Sequence, residues 1–98
     1  MGVPMIVAEL KIIPVGQGSS MDEPVQRAID ALADAGVRYE VGALSTTFEA
    51  NSMDTILEAV RLVHGRLVEG VPRVLLQITI DHRIDKAETV ESLRQTAR

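Results

Sequence analysis

The 98-residue chain has no cysteine and no tryptophan, and its aromatic content is limited to Tyr39 and Phe48. Without thiols there is no disulfide, no thiolate metal site and no cysteine nucleophile. Without aromatic platforms, a stacking surface for single-stranded nucleic acid is not expected. Lys and Arg total 10 against 14 Asp and Glu, a formal net charge of −4, and the basic residues are scattered along the chain. Nucleic acid and anionic membrane are therefore not expected partners. Long apolar runs are missing too. The stretch that begins at Met1 is interrupted by Glu9 and Lys11, too soon for a signal peptide or a membrane span. The expected compartment is the cytoplasm.

What is present is the composition of a folded domain, 46% hydrophobic and 24% charged. With so few aromatics, the core must be built from Val, Ile, Leu and Ala. The length predicts one domain over 1–98. A domain of this size buries only about two-thirds of its unfolded surface, so a second subunit would help it.

Residues 5–14 alternate as a strand, with Ile6, Ala8, Leu10 and Ile12 in an apolar register and Glu9 and Lys11 in the mixed one. Pro14 is expected to stop the pairing. A helix over 21–35 follows, with Ser20 as N-cap and Glu23 three residues later. Its stripe is Val25, Ala28, Ile29, Leu32 and Ala35, and Gly36 is its stop. VRYEVGAL and STTFEA read as a hairpin broken near Leu44 and Ser45. A second helix, capped by Asn51 or Ser52, runs to about Glu69 with Ile56, Val60, Val63 and Leu67 inward. After Gly70 and Pro72 comes the last strand, RVLLQITID, with Val74, Leu76, Ile78 and Ile80 on one face. The polar tail over 85–98 reads as helical.

The order is βαββαβ plus a tail. Right-handed crossovers over one sheet make this an α+β, ferredoxin-like two-layer sandwich. Its antiparallel sheet has strand order 4-1-3-2, both helices lie on one face, and the chain ends in a helical tail. That topology puts PVGQGSS, Ser45, Thr46 and Arg73 at one end of the sheet. It puts Glu49, Asn51, Ser52, Asp81, His82 and Arg83 at the other. The open face, with Val7, Glu9, Lys11 and Ile13 beside Leu75, Gln77 and Thr79, is too apolar for water and too polar for a core. A subunit contact would explain it; a mixed solvated face is the alternative.

The chemical motifs are sparse. PVGQGSS lacks the lysine and the spacing of a phosphate-binding loop, and Met21 stands where the dinucleotide fingerprint has its third glycine. A glycine turn feeding a Ser-capped helix accounts for it as well as a small-anion site does. Asp81-His82-Arg83-Ile84-Asp85 offers oxygen and nitrogen donors but no second ligand pair, so no metal is expected. An Asp81–Arg83 pair that turns the chain is the simpler use. No nucleophile–base pattern is present, and the chain is not expected to be an enzyme.

Four blocks taken together, IIPVGQGSS, ALADAGVRYEV, STTFEA and TIDHRIDKAETVESL, resemble the small thiamine-binding protein family over nearly the whole chain. The resemblance implies the same ferredoxin-like fold and a homo-oligomer, a homotetramer or homodimer formed through the open sheet face. It also implies a non-catalytic carrier, sensor or scavenger of thiamine or its hydroxymethylpyrimidine moiety, with no cofactor. Matched by motif, Pro14, Gly16 and Gly18 fall in P-x-G-x-G, Thr46 and Glu49 in T-x-x-E, and Asp81 and Arg83 in I-D-x-R. Gly16, Gly18, Ser20, Thr46 and Glu49 are then the expected ligand residues; Pro14, Asp81 and Arg83 serve structure or assembly. The chain departs from the family pattern at Ser45 and Ala50, where glycine is usual. A structural or regulatory oligomeric module without a working ligand site is the alternative reading.

Overall fold

The computed structural model describes residues 5–15 and 22–84. Six elements follow in the order β1 (Ile6–Val15), α1 (Asp22–Asp34), β2 (Arg38–Val41), β3 (Thr46–Ala50), α2 (Met53–Leu67) and β4 (Arg73–His82). The sheet has the order β2-β3-β1-β4 and is antiparallel throughout. This is the ferredoxin-like arrangement that the alternation of strand and helix periods predicts.

The register explains which residues make the core. Ile6, Ala8 and Leu10 of β1 face Ala50, Phe48 and Thr46 of β3. All six side chains are buried, the five apolar ones in the cluster that continues into the helices. From α1 the cluster takes Ala28, Ala31 and Leu32; from α2 it takes Ile56, Ala59, Val63 and Leu67. The innermost residue at the second turn of α2 is therefore Ala59, with the expected Val60 half-buried beside it. The buried positions of α2 follow the spacing Ile56, Ala59, Val63, Leu67, so the stripe passes through Ala59 and leaves Val60 at its margin. Phe48, the largest fully buried side chain, sits at the centre of the sheet's inner face.

The ends of the elements have local causes. Ser52 is the N-cap of α2: its Oγ accepts from the Thr55 N–H at 3.1 Å while its own backbone is extended. Beyond α1, Gly36 takes φ +76° and donates its N–H to the Ala33 carbonyl at 3.1 Å. A β-carbon there would meet nothing within 4 Å, so the need for glycine is conformational. The hairpin closes between Gly42 and Ser45, with the Gly42 N–H on the Ser45 carbonyl at 2.9 Å. At Gly42 a β-carbon would lie 3.0 Å from that same oxygen.

Two expectations are corrected. Pairing of β1 does not stop at Pro14: Pro14 lies opposite Val74 and Val15 opposite Arg73. The reason is that β3 pairs with β1 only as far as Leu10. Among the described residues, the strand at Pro14 has a neighbour on one side alone, an edge-like position that accepts a residue without an N–H. The second correction is that β2 is four residues long, far shorter than VRYEVGAL. The expected cap Ser20, the glycines Gly16 and Gly18, and the tail over 85–98 lie outside the described residues.

Candidate functional site

The hairpin β2–β3 carries both residues of the T-x-x-E motif, and strand geometry separates them. Thr46 is buried on the helix side opposite Leu10; Glu49, three positions on, is on the other face opposite Val7. Three residues of strand span about 10 Å, so the two side chains differ in both face and level. Glu49 is only 4% exposed. A carboxylate this deep requires charged or hydrogen-bonding company, and Arg38, its register partner on β2, supplies some: Nε lies 3.7 Å from Oε1. The Arg38 side chain is itself 73% exposed, so the pair joins a buried charge to the surface.

Glu49 also lines an open cleft of about 350 Å³ at the end of the sheet where β1 begins and α2 starts. Met5, Val37, Arg38, Asn51 and Thr55 complete its polar and apolar walls. The volume is at the small end of the range for small-molecule sites. Its donors and acceptors are a carboxylate, a guanidinium, a carboxamide and a hydroxyl, which suits hydrogen bonding to a polar heterocycle.

The remaining open face is organised in rows across the strands. One row runs Arg38, Glu49, Val7, Asp81; the next runs Glu40, Thr47, Glu9, Thr79. Four carboxylates thus share a face with Arg38, with Lys11 one level further and with Arg73 at the far end of the sheet. Glu9 is half-buried and accepts from Ser45 Oγ at 3.0 Å. Ser45, a departure from the usual family residue, therefore fastens the hairpin tip to the middle of β1. Its side chain lies on the open face, away from Thr46. Such a face favours a cation over an anion. Among the described residues no group of His, Asp and Glu has the geometry of a metal site.

The expected residues fall into separate places. Val15, next to the glycine segment, pairs with Arg73, as the topology predicts, while Thr46 pairs with Leu10, five residues short of Val15. Asp81 is exposed in the Val7 row, and Arg83 follows β4 half-buried. Sequence reasoning missed the partnership of Arg38 with Glu49; the cue was available, because Arg38 and Glu49 lie at matching distances from the hairpin turn. Among the described residues no helix is long and apolar enough to cross a membrane.

The strand order and the two helices on one face of the sheet define an α+β ferredoxin-like domain. Residues 8–97 match the thiamine-binding protein family, and the chain belongs to it. It is 36% identical over 86 residues to a UPF0045 protein of Methanocaldococcus jannaschii, covering 88% of this chain and 85% of that one. A UPF0045 protein of Methanothermobacter thermautotrophicus is 37% identical over 97 residues, covering 93% and 98%. Among solved structures, the Methanocaldococcus jannaschii protein superposes with a TM-score of 0.86 at 33% identity, over 95% of each chain. A candidate thiamine biosynthesis/salvage protein of Thermotoga maritima gives a TM-score of 0.83 at 27% identity, over 97% of this chain and all of that one. A designed protein with the ferredoxin fold, 8% identical with a TM-score of 0.60, shares the fold alone.

Proposed function

We propose that this protein is a non-catalytic binding protein for thiamine or its hydroxymethylpyrimidine moiety, acting in the cytoplasm as a homo-oligomeric carrier, sensor or scavenger. The observation that carries the reading is the match of residues 8–97 to the thiamine-binding family. The site chemistry supports it. An aminopyrimidine needs an acceptor for its amino group and a donor for a ring nitrogen, and a thiazolium needs negative charge nearby. Gly16, Gly18, Ser20, Thr46 and Glu49 are the proposed ligand residues. Thr46 and Glu49 lie on opposite faces of the sheet, so they share one ligand only where subunits adjoin. Within a subunit the glycine-segment end is the proposed ligand end, and the Glu49 carboxylate is the counter-charge for a thiazolium. Pro14, Asp81 and Arg83 are assigned to structure and assembly, with contact between subunits through the open sheet face.

The test is a thermal unfolding series with thiamine, its phosphates and hydroxymethylpyrimidine. A ligand at a hundred times its Kd adds about 2.7 kcal/mol, several degrees for a domain of this size. The expected result is a selective shift for one of these compounds that Glu49→Gln reduces while assembly persists. A folded, oligomeric protein that none of them stabilises would refute the reading and leave an interaction module in its place.

A further inference from the structure

The two edges of the sheet are not alike. β2 is four residues long and carries Arg38 and Glu40, the short, charged form that protects an edge from pairing. The other edge, β4, is ten residues long. It contains no proline, glycine or lysine, and its charged residues sit only at its ends. Its whole length pairs with β1 on one side. Among the described residues nothing pairs with the other side. Nor does the helix layer reach across it: Ile78 and Ile80, in register with the core residues Leu10 and Ala8, are 37% and 38% exposed. A long edge with apolar side chains and no protective device is a template for another strand.

We propose that β4 pairs antiparallel with β4 of a second copy, joining two sheets edge to edge about a twofold axis at Gln77. The register follows from the sequence of the strand. Residues directly opposite in an antiparallel pair point to the same face. With Gln77 facing Gln77 of the second copy, Arg73 faces Asp81, and by symmetry Asp81 faces Arg73. Neither of these exposed residues has an ion pair among the described residues. On the helix side, Val74 then faces Ile80 and Leu76 faces Ile78, so the two exposed isoleucines meet the half-buried residues of the other copy. Leu75 faces Thr79. Moving the axis to Ile78 sets Leu75 against Asp81 and Arg73 against Arg83. Moving it to Leu76 removes the Arg73–Asp81 pair. The contact is isologous, as a twofold dimer requires, and it differs from a contact through the open sheet face.

The absence of cysteine from the chain makes the register directly testable. A Gln77→Cys variant brings two thiols together at the axis, at a Cα separation of about 4.5–5.5 Å that suits a disulfide. A Thr79→Cys variant places its two thiols four residues out of register, beyond the reach of one. Under mild oxidation Gln77→Cys should give a covalent dimer and Thr79→Cys should not. In sedimentation measurements Arg73→Asp and Asp81→Arg should each weaken the dimer roughly tenfold or more, since each replaces two attractive cross-strand pairs by two repulsive ones. The Arg73→Asp/Asp81→Arg double variant should recover most of that loss. A monomeric wild-type protein at high micromolar concentration overturns the proposal. So does equal cross-linking of the two cysteine variants, or failure of the double variant to recover association while remaining folded. An oligomer that persists without cross-linking Gln77→Cys assigns association to another surface.

Discussion

Replacing Arg27 by alanine should destabilise the domain by about 1–3 kcal/mol, and the reason lies at the far end of the neighbouring helix. Arg27 Nη1 donates to the Arg66 carbonyl at 3.0 Å, in the last turn of α2, where helix carbonyls lack intrahelical partners. Its guanidinium rests on Gly70, where a β-carbon would come within 3.2 Å of both Nη atoms. A hydrogen bond from a charged donor contributes about 1.5–3 kcal/mol, and a cation at a helix C-terminus about 0.3–1 kcal/mol. Against these stands Nε, buried without a hydrogen-bond acceptor, at a cost of about 1 kcal/mol or more. Glu23 lies 3.6 Å from Nε, but its side chain is 81% exposed, and such surface pairs contribute about 0–1 kcal/mol. The cap therefore outweighs the ion pair. Urea unfolding at one protein concentration, analysed by midpoint and slope, should show the full loss for Arg27→Ala and less than about 0.5 kcal/mol for Glu23→Ala. Arg27→Lys, which keeps the charge but loses the fork, should fall between. Equal losses for Arg27→Ala and Glu23→Ala would refute the argument by placing the stabilisation in the surface pair.

Phe48→Ala, which empties the largest fully buried side chain at the centre of the sheet, should cost about 3–5 kcal/mol by the same urea assay. Ser52→Ala removes the cap hydrogen bond to Thr55 and should cost about 1 kcal/mol, while Ser52→Gly should cost only a few tenths. Gly36→Ala forces a β-carbon into φ +76° and should cost about 1–2 kcal/mol although the space is open. On α2, the Arg61 side chain holds the Glu58 carboxyl below its usual range through a hydrogen bond and the opposite charge. Because the folded value is depressed, the pair stabilises above the ordinary glutamate range and its contribution fades as pH falls through the folded value. An NMR titration should find the Glu58 transition moved up in Arg61→Ala.

The fold was legible because each element carries its own period: alternation in β1 and β4, helical stripes in α1 and α2, and glycines at the turns. Strand order followed from crossover handedness, and it matches the observed sheet. Pro14 was misread because a sequence displays a missing N–H but not the number of neighbours a strand has at that level. The α2 stripe passes through Ala59 rather than Val60 because steps of three and of four both keep to one helical face, and the sequence alone does not say on which the packing centres. Opposite faces for Thr46 and Glu49 were implicit in alternation. The near-complete burial of Glu49 was not, since nothing local marks a glutamate as sequestered. Arg27 reaching the Arg66 carbonyl, 39 residues away, leaves no trace in any window of sequence.

Under the proposed function, the charge pattern of the open face would couple ligand binding to assembly. Packing two open faces together would bring Glu9, Glu40 and Asp81 of each copy toward those of the other, with Arg38, Lys11 and Arg73 as the cations of that face. Removing such groups from water is repaid only when each charge finds a partner. A bound thiazolium would add positive charge beside the carboxylates that Arg38, Lys11 and Arg73 do not pair. Edge pairing through β4 carries no comparable cost, because its facing residues are apolar, uncharged polar or oppositely charged. The two contacts should therefore respond differently. Association across the open faces should strengthen with thiamine and with protonation of the carboxylates. The covalent dimer through Gln77→Cys should form to the same extent with and without ligand. Equal dependence of both on thiamine would mean that the open face and the β4 edge belong to one cooperative interface, and the separation argued from the register would fail.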